Sequence, residues 1–135
     1  ERKKTWHGDI IWQGAFILKD AFETMVSNSE CNMLENKHVL ELGSGTGVLG
    51  LSLAMGGAKV VLSDLPDNRK LASLNIDKNK DSLRGSAEAV MLHWNELDTF
   101  EKQLGNRKFD IIVVSDFIGS IQNKVSLVIN CPLDL

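Results

Sequence analysis

The stretch VLELGSGTGVLG, Val39 to Gly50, governs how the rest of this chain is read. Glycines 43, 45 and 47 alternate with small polar residues directly after an apolar run, and an acid, Glu41, sits inside that run. Alternating glycines let the backbone turn sharply and let a ligand approach where a Cβ would collide. A helix beginning here would add the partial positive charge of its free N–H groups at the same spot. A tight strand-to-helix turn without a ligand is the plainer reading, but three alternating glycines at a strand end favour a binding loop.

Working outward, HVLEL (His38–Leu42) is short and mostly apolar, as a buried parallel strand would be. VLGLSLAMGG predicts a compact helix stopped by Gly56 and Gly57. AKVVLSD (Ala58–Asp64), rich in β-branched residues, predicts the second strand. Pro66 suits the first turn of a helix over PDNRKLASLNIDKN, which sets Leu71 and Leu74 on one side. EAVMLHW (Glu88–Trp94) predicts a third strand, ELDTFEKQL a short helix, and KFDIIVVSD (Lys108–Asp116) a fourth strand of buried character. Upstream, Trp12, Ala15, Phe16, Phe22, Met25 and Val26 recur at the spacing of an amphipathic helix. This alternation predicts an α/β fold: a parallel sheet with flanking helices, with any ligand along the C-terminal ends of the strands.

At 135 residues the chain is expected to form a single domain, 1–135. A net charge of −3 provides no electrostatic footprint for broad binding to nucleic acid or anionic membranes. Cys31 and Cys131 lack the spacing of a zinc site or redox pair and read as reduced thiols of an intracellular protein. His7, His38 and His93 show no ligand spacing, so no metal is expected. No apolar run approaches the ~20 residues of a membrane span. The start, ERKKTWHGD, has no apolar stretch behind it and does not read as a signal peptide. It begins with Glu1 rather than methionine, as a processed or excised piece of a longer protein would.

Two ligand classes suit the glycine loop. GTGVLG (Gly45–Gly50) fits the dinucleotide pattern G-x-G-x-x-G, and Asp64 lies about twenty residues on, where a ribose hydroxyl would be held. That reading gives a nicotinamide-dependent oxidoreductase. Glu41 argues against it, because a carboxylate two residues before the first glycine would repel a pyrophosphate. A ligand with a cationic head and no phosphates resolves the conflict. S-adenosyl-L-methionine has that make-up, with an α-amino group, a sulfonium, a ribose and an adenine.

At these residues the chain resembles class I S-adenosylmethionine-dependent methyltransferases, whose first motif is an acid followed by alternating glycines. GDIIWQGAFILKDAF, HVLELGSGTGVLGLSLAMGGAKVVLSDLPD, LNIDKN, MLHWNELD and FDIIVVSDF occur in the order and spacing of methyltransferase family 16, the seven-strand protein-lysine methyltransferases. The resemblance runs from Gly8 to Phe117 and implies a Rossmann-like class I methyltransferase fold. It implies methylation of a lysine side chain on a protein substrate, and the charge balance leaves no nucleic acid or membrane expected as partner. The implied location is the cytoplasm, with the nucleus as a second compartment. The cofactor pocket it implies takes in Trp12, Glu41, Gly43, Ser44, Gly45, Asp64, Trp94 near the adenine, and Ser115 at the end of the fourth strand. Asp116 matches the aspartate that opens the family's Asp-x-x-Tyr motif beside the substrate lysine, and is the one catalytic candidate.

Each has a plainer role open to it. Trp12 lies on an apolar helical face suited to core packing. Trp94 at a strand end suits either stacking on adenine or closing the core. Asp64 suits capping of the helix near Pro66 as well as ribose binding. Ser115 and Asp116 suit an ordinary turn. The chain also departs from the family. Gly119 stands where the family has tyrosine, and the family's three strands after the fourth, in the order 3-2-1-4-5-7-6, have no recognisable counterpart. KVSLVINCPLDL offers one strand at Val125 to Cys131. Losing the last three strands would bare one flank of strand four. These departures keep a second reading open: a truncated, catalytically inactive cofactor-binding or scaffold domain.

Overall fold

The computed structural model describes residues 10–11, 13–28, 33–93, 97–115 and 127–130. The elements run α1 (Gln13–Ser27), β1 (His38–Leu42), α2 (Val48–Met55), β2 (Lys59–Asp64), α3 (Pro66–Asn79), β3 (Ser86–Met91), α4 (Leu97–Leu104), β4 (Ile111–Val114) and β5 (Leu127–Asn130). They form a five-stranded sheet in the order β3-β2-β1-β4-β5. Neighbours among the first four strands pair in parallel, and β5 pairs antiparallel with β4.

Alternation along the central strands sorts the core into two layers. Val39 of β1, Val60 and Leu62 of β2 and Val113 of β4 pack with Ala15, Leu18 and Phe22 of α1 and Leu49 and Leu53 of α2. Leu40, Val61 and Val90 face the other way and pack with Leu92, Leu104 and Phe100. Helices therefore lie on both faces, and each β–α connection returns the chain so that the strand C-terminal ends share one edge.

Some boundaries and faces differ from expectation. β3 begins at Ser86 rather than Glu88 and stops at Met91. It lies at one end of the sheet, where Ser86 and Glu88 are exposed, so an apolar-run criterion places it too late. On α3, Ala72 is fully buried and Ile76 joins the core, whereas Leu74 is 57% exposed. The face bearing Asn68, Ala72 and Asn75 meets the glycine loop, so small and polar residues rather than leucines occupy that contact. Phe16 and Met25 of α1 are likewise exposed, and its buried stripe is Ala15, Leu18 and Phe22.

The flank of strand four is not bare. Leu127–Asn130 lies along it, with Val114 opposite Leu127 and Ile111 opposite Asn130. The open N–H and C=O groups of a four-residue apolar strand template such a pairing, and an antiparallel return does not require the helical crossover that a parallel one does.

Candidate cofactor site at the strand ends

The glycine loop spans Gly43 to Gly47, between β1 and α2. Gly43, Gly45 and Gly47 adopt φ values of 71°, 53° and 81°, in the left-handed region that side chains disfavour. The loop is tied to the neighbouring strand end. The N–H groups of Gly43 and Ser44 both donate to the Ser63 carbonyl, at 2.9 and 3.0 Å. The Gly45 N–H donates to Asp64 Oδ2 at 2.7 Å. From outside, Asn75 Nδ2 donates to the Thr46 carbonyl at 2.8 Å.

Asp64 ends β2 and is 8% exposed. Besides the Gly45 N–H, its carboxylate accepts the Leu65 N–H (2.7 Å) and Asn68 Nδ2 (2.9 Å) through Oδ1. It thus braces the entry to α3 and latches the loop at once. Ser44 is buried, and among the described residues its Oγ has no hydrogen-bond partner. A buried hydroxyl without a partner costs about 1–3 kcal/mol, so a ligand atom that satisfied it would bind with that cost relieved.

Glu41 is placed differently from the sequence expectation of a charge at the loop mouth. It lies on the α1/α2 side of β1, 1% exposed, and its Oε2 accepts the Gly50 N–H at 2.9 Å. Gly50 is the third residue of α2, whose N-cap, Gly47, has no side chain to supply an acceptor. Glu41 fills that place from the adjacent strand, taking an N–H that the first turn of a helix otherwise leaves open. Burial pushes its carboxyl up to about 8, the Gly50 N–H opposes that rise, and the charge of Asp64 adds to it. At neutral pH the side chain is therefore largely protonated, so the expected electrostatic repulsion of phosphates is not its main effect.

Gly50 has to be glycine for reasons of space. A Cβ there would lie 2.3 Å from Leu62 Cδ2 and 2.5 Å from Glu41 Oε2, both in the core. Gly50→Ala is expected to destabilise the fold by about 1–3 kcal/mol, a typical overpacking cost, measurable as a lowered urea midpoint with an unchanged slope.

Gly43, Ser44, Gly45, Asp64 and Ser115, which follows β4 and is half-buried, thus meet at one sheet edge, with Glu41 beneath. Trp12, Trp94, Asp116 and the departure at Gly119 lie outside the described residues. Asn68, Asn75 and Ser63, whose Oγ donates to the Glu41 carbonyl at 2.7 Å, went unnoticed in the sequence. The seven-residue spacing of the two asparagines, two helical turns, was the available signal. Among the described residues, no group of three or more His, Cys, Asp and Glu could hold a metal ion, and no helix is long and apolar enough to cross a membrane. A cleft of about 290 Å³ lined by Phe22, Met25, Leu34 and Asp110 lies at the opposite ends of the strands. The crossovers direct ligands to the C-terminal edge instead.

A parallel β3-β2-β1-β4 core, with a glycine loop after the first strand and an acid closing the second, defines a Rossmann-like fold of the class I methyltransferase type. A Synechocystis magnesium protoporphyrin IX methyltransferase with bound SAH superposes with a TM-score of 0.53 at 14% identity, over 79% of this chain and 57% of that one. The chain belongs to the lysine methyltransferase family, which it matches over residues 1–131. It is 28% identical to the mouse protein-lysine methyltransferase METTL21E, over 85% of this chain and 46% of that protein. It is 35% identical to the Xenopus tropicalis protein N-lysine methyltransferase METTL21A, over 71% of this chain and 45% of that protein. The chain thus spans less than half the length of these relatives.

Proposed function

We propose that the strand-end site binds S-adenosyl-L-methionine and that the chain serves methyl transfer to a lysine side chain of a protein substrate. One observation carries the reading: the buried Ser44 Oγ, without a hydrogen-bond partner among the described residues, lies in a glycine loop that the Asp64 carboxylate latches. Family membership over residues 1–131 supports it. The residues present fit the ligand. Asp64 would accept from ribose hydroxyls, Ser44 Oγ would pair with a polar atom of the amino-acid tail, and Gly43 and Gly45 leave the backbone bare for close approach. A pyrophosphate fits less well, because the Gly50 N–H at the start of α2 is already taken by Glu41.

When bound, S-adenosyl-L-methionine supplies a methyl group on a sulfonium, which departs as a neutral sulfide when an amine attacks in line. The loop and Asp64 hold the donor's position, and alignment of this kind lowers barriers by up to ~7–11 kcal/mol in favourable cases. Asp116, directly after Ser115 in sequence, is the residue proposed to orient the lysine amine. A cytoplasmic location belongs to this proposal.

A specific observation favours binding without transfer as the second reading: β5 runs antiparallel to β4, unlike the four parallel strands before it. Two measurements separate the readings. S-adenosylhomocysteine is expected to raise the melting temperature and NAD to leave it in place, since a ligand present at 100 times its Kd stabilises by about 2.7 kcal/mol. Incubation with tritiated S-adenosylmethionine and cell lysate is expected to label protein bands. Stabilisation without labelling would establish the binding-only reading, and stabilisation by NAD alone would overturn both.

A further inference from the structure

We infer that Glu41 is a positioning residue, which shapes the glycine loop through α2 and makes no contact with the ligand's ammonium. The inference rests on the reading that this edge binds the nucleoside. Three observations lead to it. The carboxyl is buried beneath the loop, 1% exposed, with Oε2 on the Gly50 N–H at 2.9 Å. The space at Gly50 is closed, since a Cβ would come within 2.5 Å of that same oxygen, so acid and glycine interlock. The N-cap Gly47 brings no side-chain acceptor and stands at φ 81°, so the start of α2 takes an acceptor from β1. Where α2 starts sets where Gly43 to Gly47 can lie, because the Leu51 N–H bonds the Gly47 carbonyl (2.9 Å) and the Gly47 N–H bonds that of Ser44 (2.8 Å). Ligand affinity then depends on Glu41 as a hydrogen-bond acceptor of the right length. It does not depend on Glu41 as a negative charge.

Titration calorimetry tests this with two ligands, S-adenosylhomocysteine and its analogue with hydrogen in place of the α-amino group, against the unsubstituted chain, Glu41→Gln and Glu41→Ala. Each substitution is expected to change the two affinities by the same factor, within about twofold, as for sites that do not interact. Glu41→Gln, which keeps an acceptor for Gly50, is expected to restore affinity that Glu41→Ala loses. A Glu41→Gln chain weakened for the amine-bearing ligand by about tenfold or more beyond the analogue would show direct ammonium contact and overturn the inference alone. If Glu41→Ala fails to fold, the glutamine comparison across the two ligands still decides. Failure of the unsubstituted chain to bind either ligand would overturn the inference together with the reading beneath it.

Discussion

As pH rises from about 4.5 towards about 8, the chain is expected to lose stability through Glu41, and Glu41→Gln is expected to remove that loss. Burial is the main cause of the raised carboxyl, with the Asp64 charge adding to it and the Gly50 N–H opposing it. The folded chain therefore keeps a proton that the unfolded chain releases above pH 4.5. This contribution to stability is fully present below the unfolded value and is lost as pH climbs through the folded one. At about 1.4 kcal/mol per pH unit, the loss over the whole window is on the order of 5 kcal/mol at most. Glutamine keeps a carbonyl for Gly50 but cannot ionise. Urea unfolding of both chains from roughly pH 5 to 9 is expected to give a difference that grows in favour of Glu41→Gln. Parallel curves would mean that Glu41 ionises in the folded chain much as it does in the unfolded one. Subtracting the two chains cancels the other titrating groups, since only one side chain differs.

Asp64→Ala is expected to weaken S-adenosylhomocysteine binding by at least about tenfold, and by more where both carboxylate oxygens reach the ribose, because hydrogen bonds to a charged group contribute about 1.5–3 kcal/mol each. The same substitution removes the acceptor for the Gly45 N–H, the Leu65 N–H and Asn68 Nδ2 together. Stability is expected to fall by about 1–3 kcal/mol as well. Calorimetric affinity and urea midpoint, measured on the same preparation, separate the two roles. A lowered midpoint with affinity retained would leave Asp64 as a brace of the loop and the start of α3. Loss of both is the result expected here, since the carboxylate lies 8% exposed at the end of β2, on the edge where the loop lies.

Much of the architecture was legible in local pattern. The β-branched run before Asp64, the apolar run before the glycines, Pro66 at a helix start and the buried character of IIVV each follow from local chemistry, and β1 and α3 have the expected boundaries. Family motifs tie the loop, Asp64 and Ser115 to one edge from sequence alone. Direction and partnership were harder to read. Nothing in KVSLVINCPLDL says that it returns antiparallel along β4, because strand pairing depends on which backbone groups lie open nearby. Asn68 and Asn75 read as ordinary helix-surface residues until the Asp64 carboxylate and the Thr46 carbonyl that they bond are folded against them.

The chain's own residue order thus determined a parallel α/β fold with a bare glycine loop after its first strand, since periodicity and glycine placement act over a few residues. What Glu41 does was decided only in three dimensions. A carboxyl's charge and direction depend on its solvent and on the donor it meets: burial under the folded chain keeps the proton on, and the Gly50 N–H, nine positions away on the next helix, takes up Oε2.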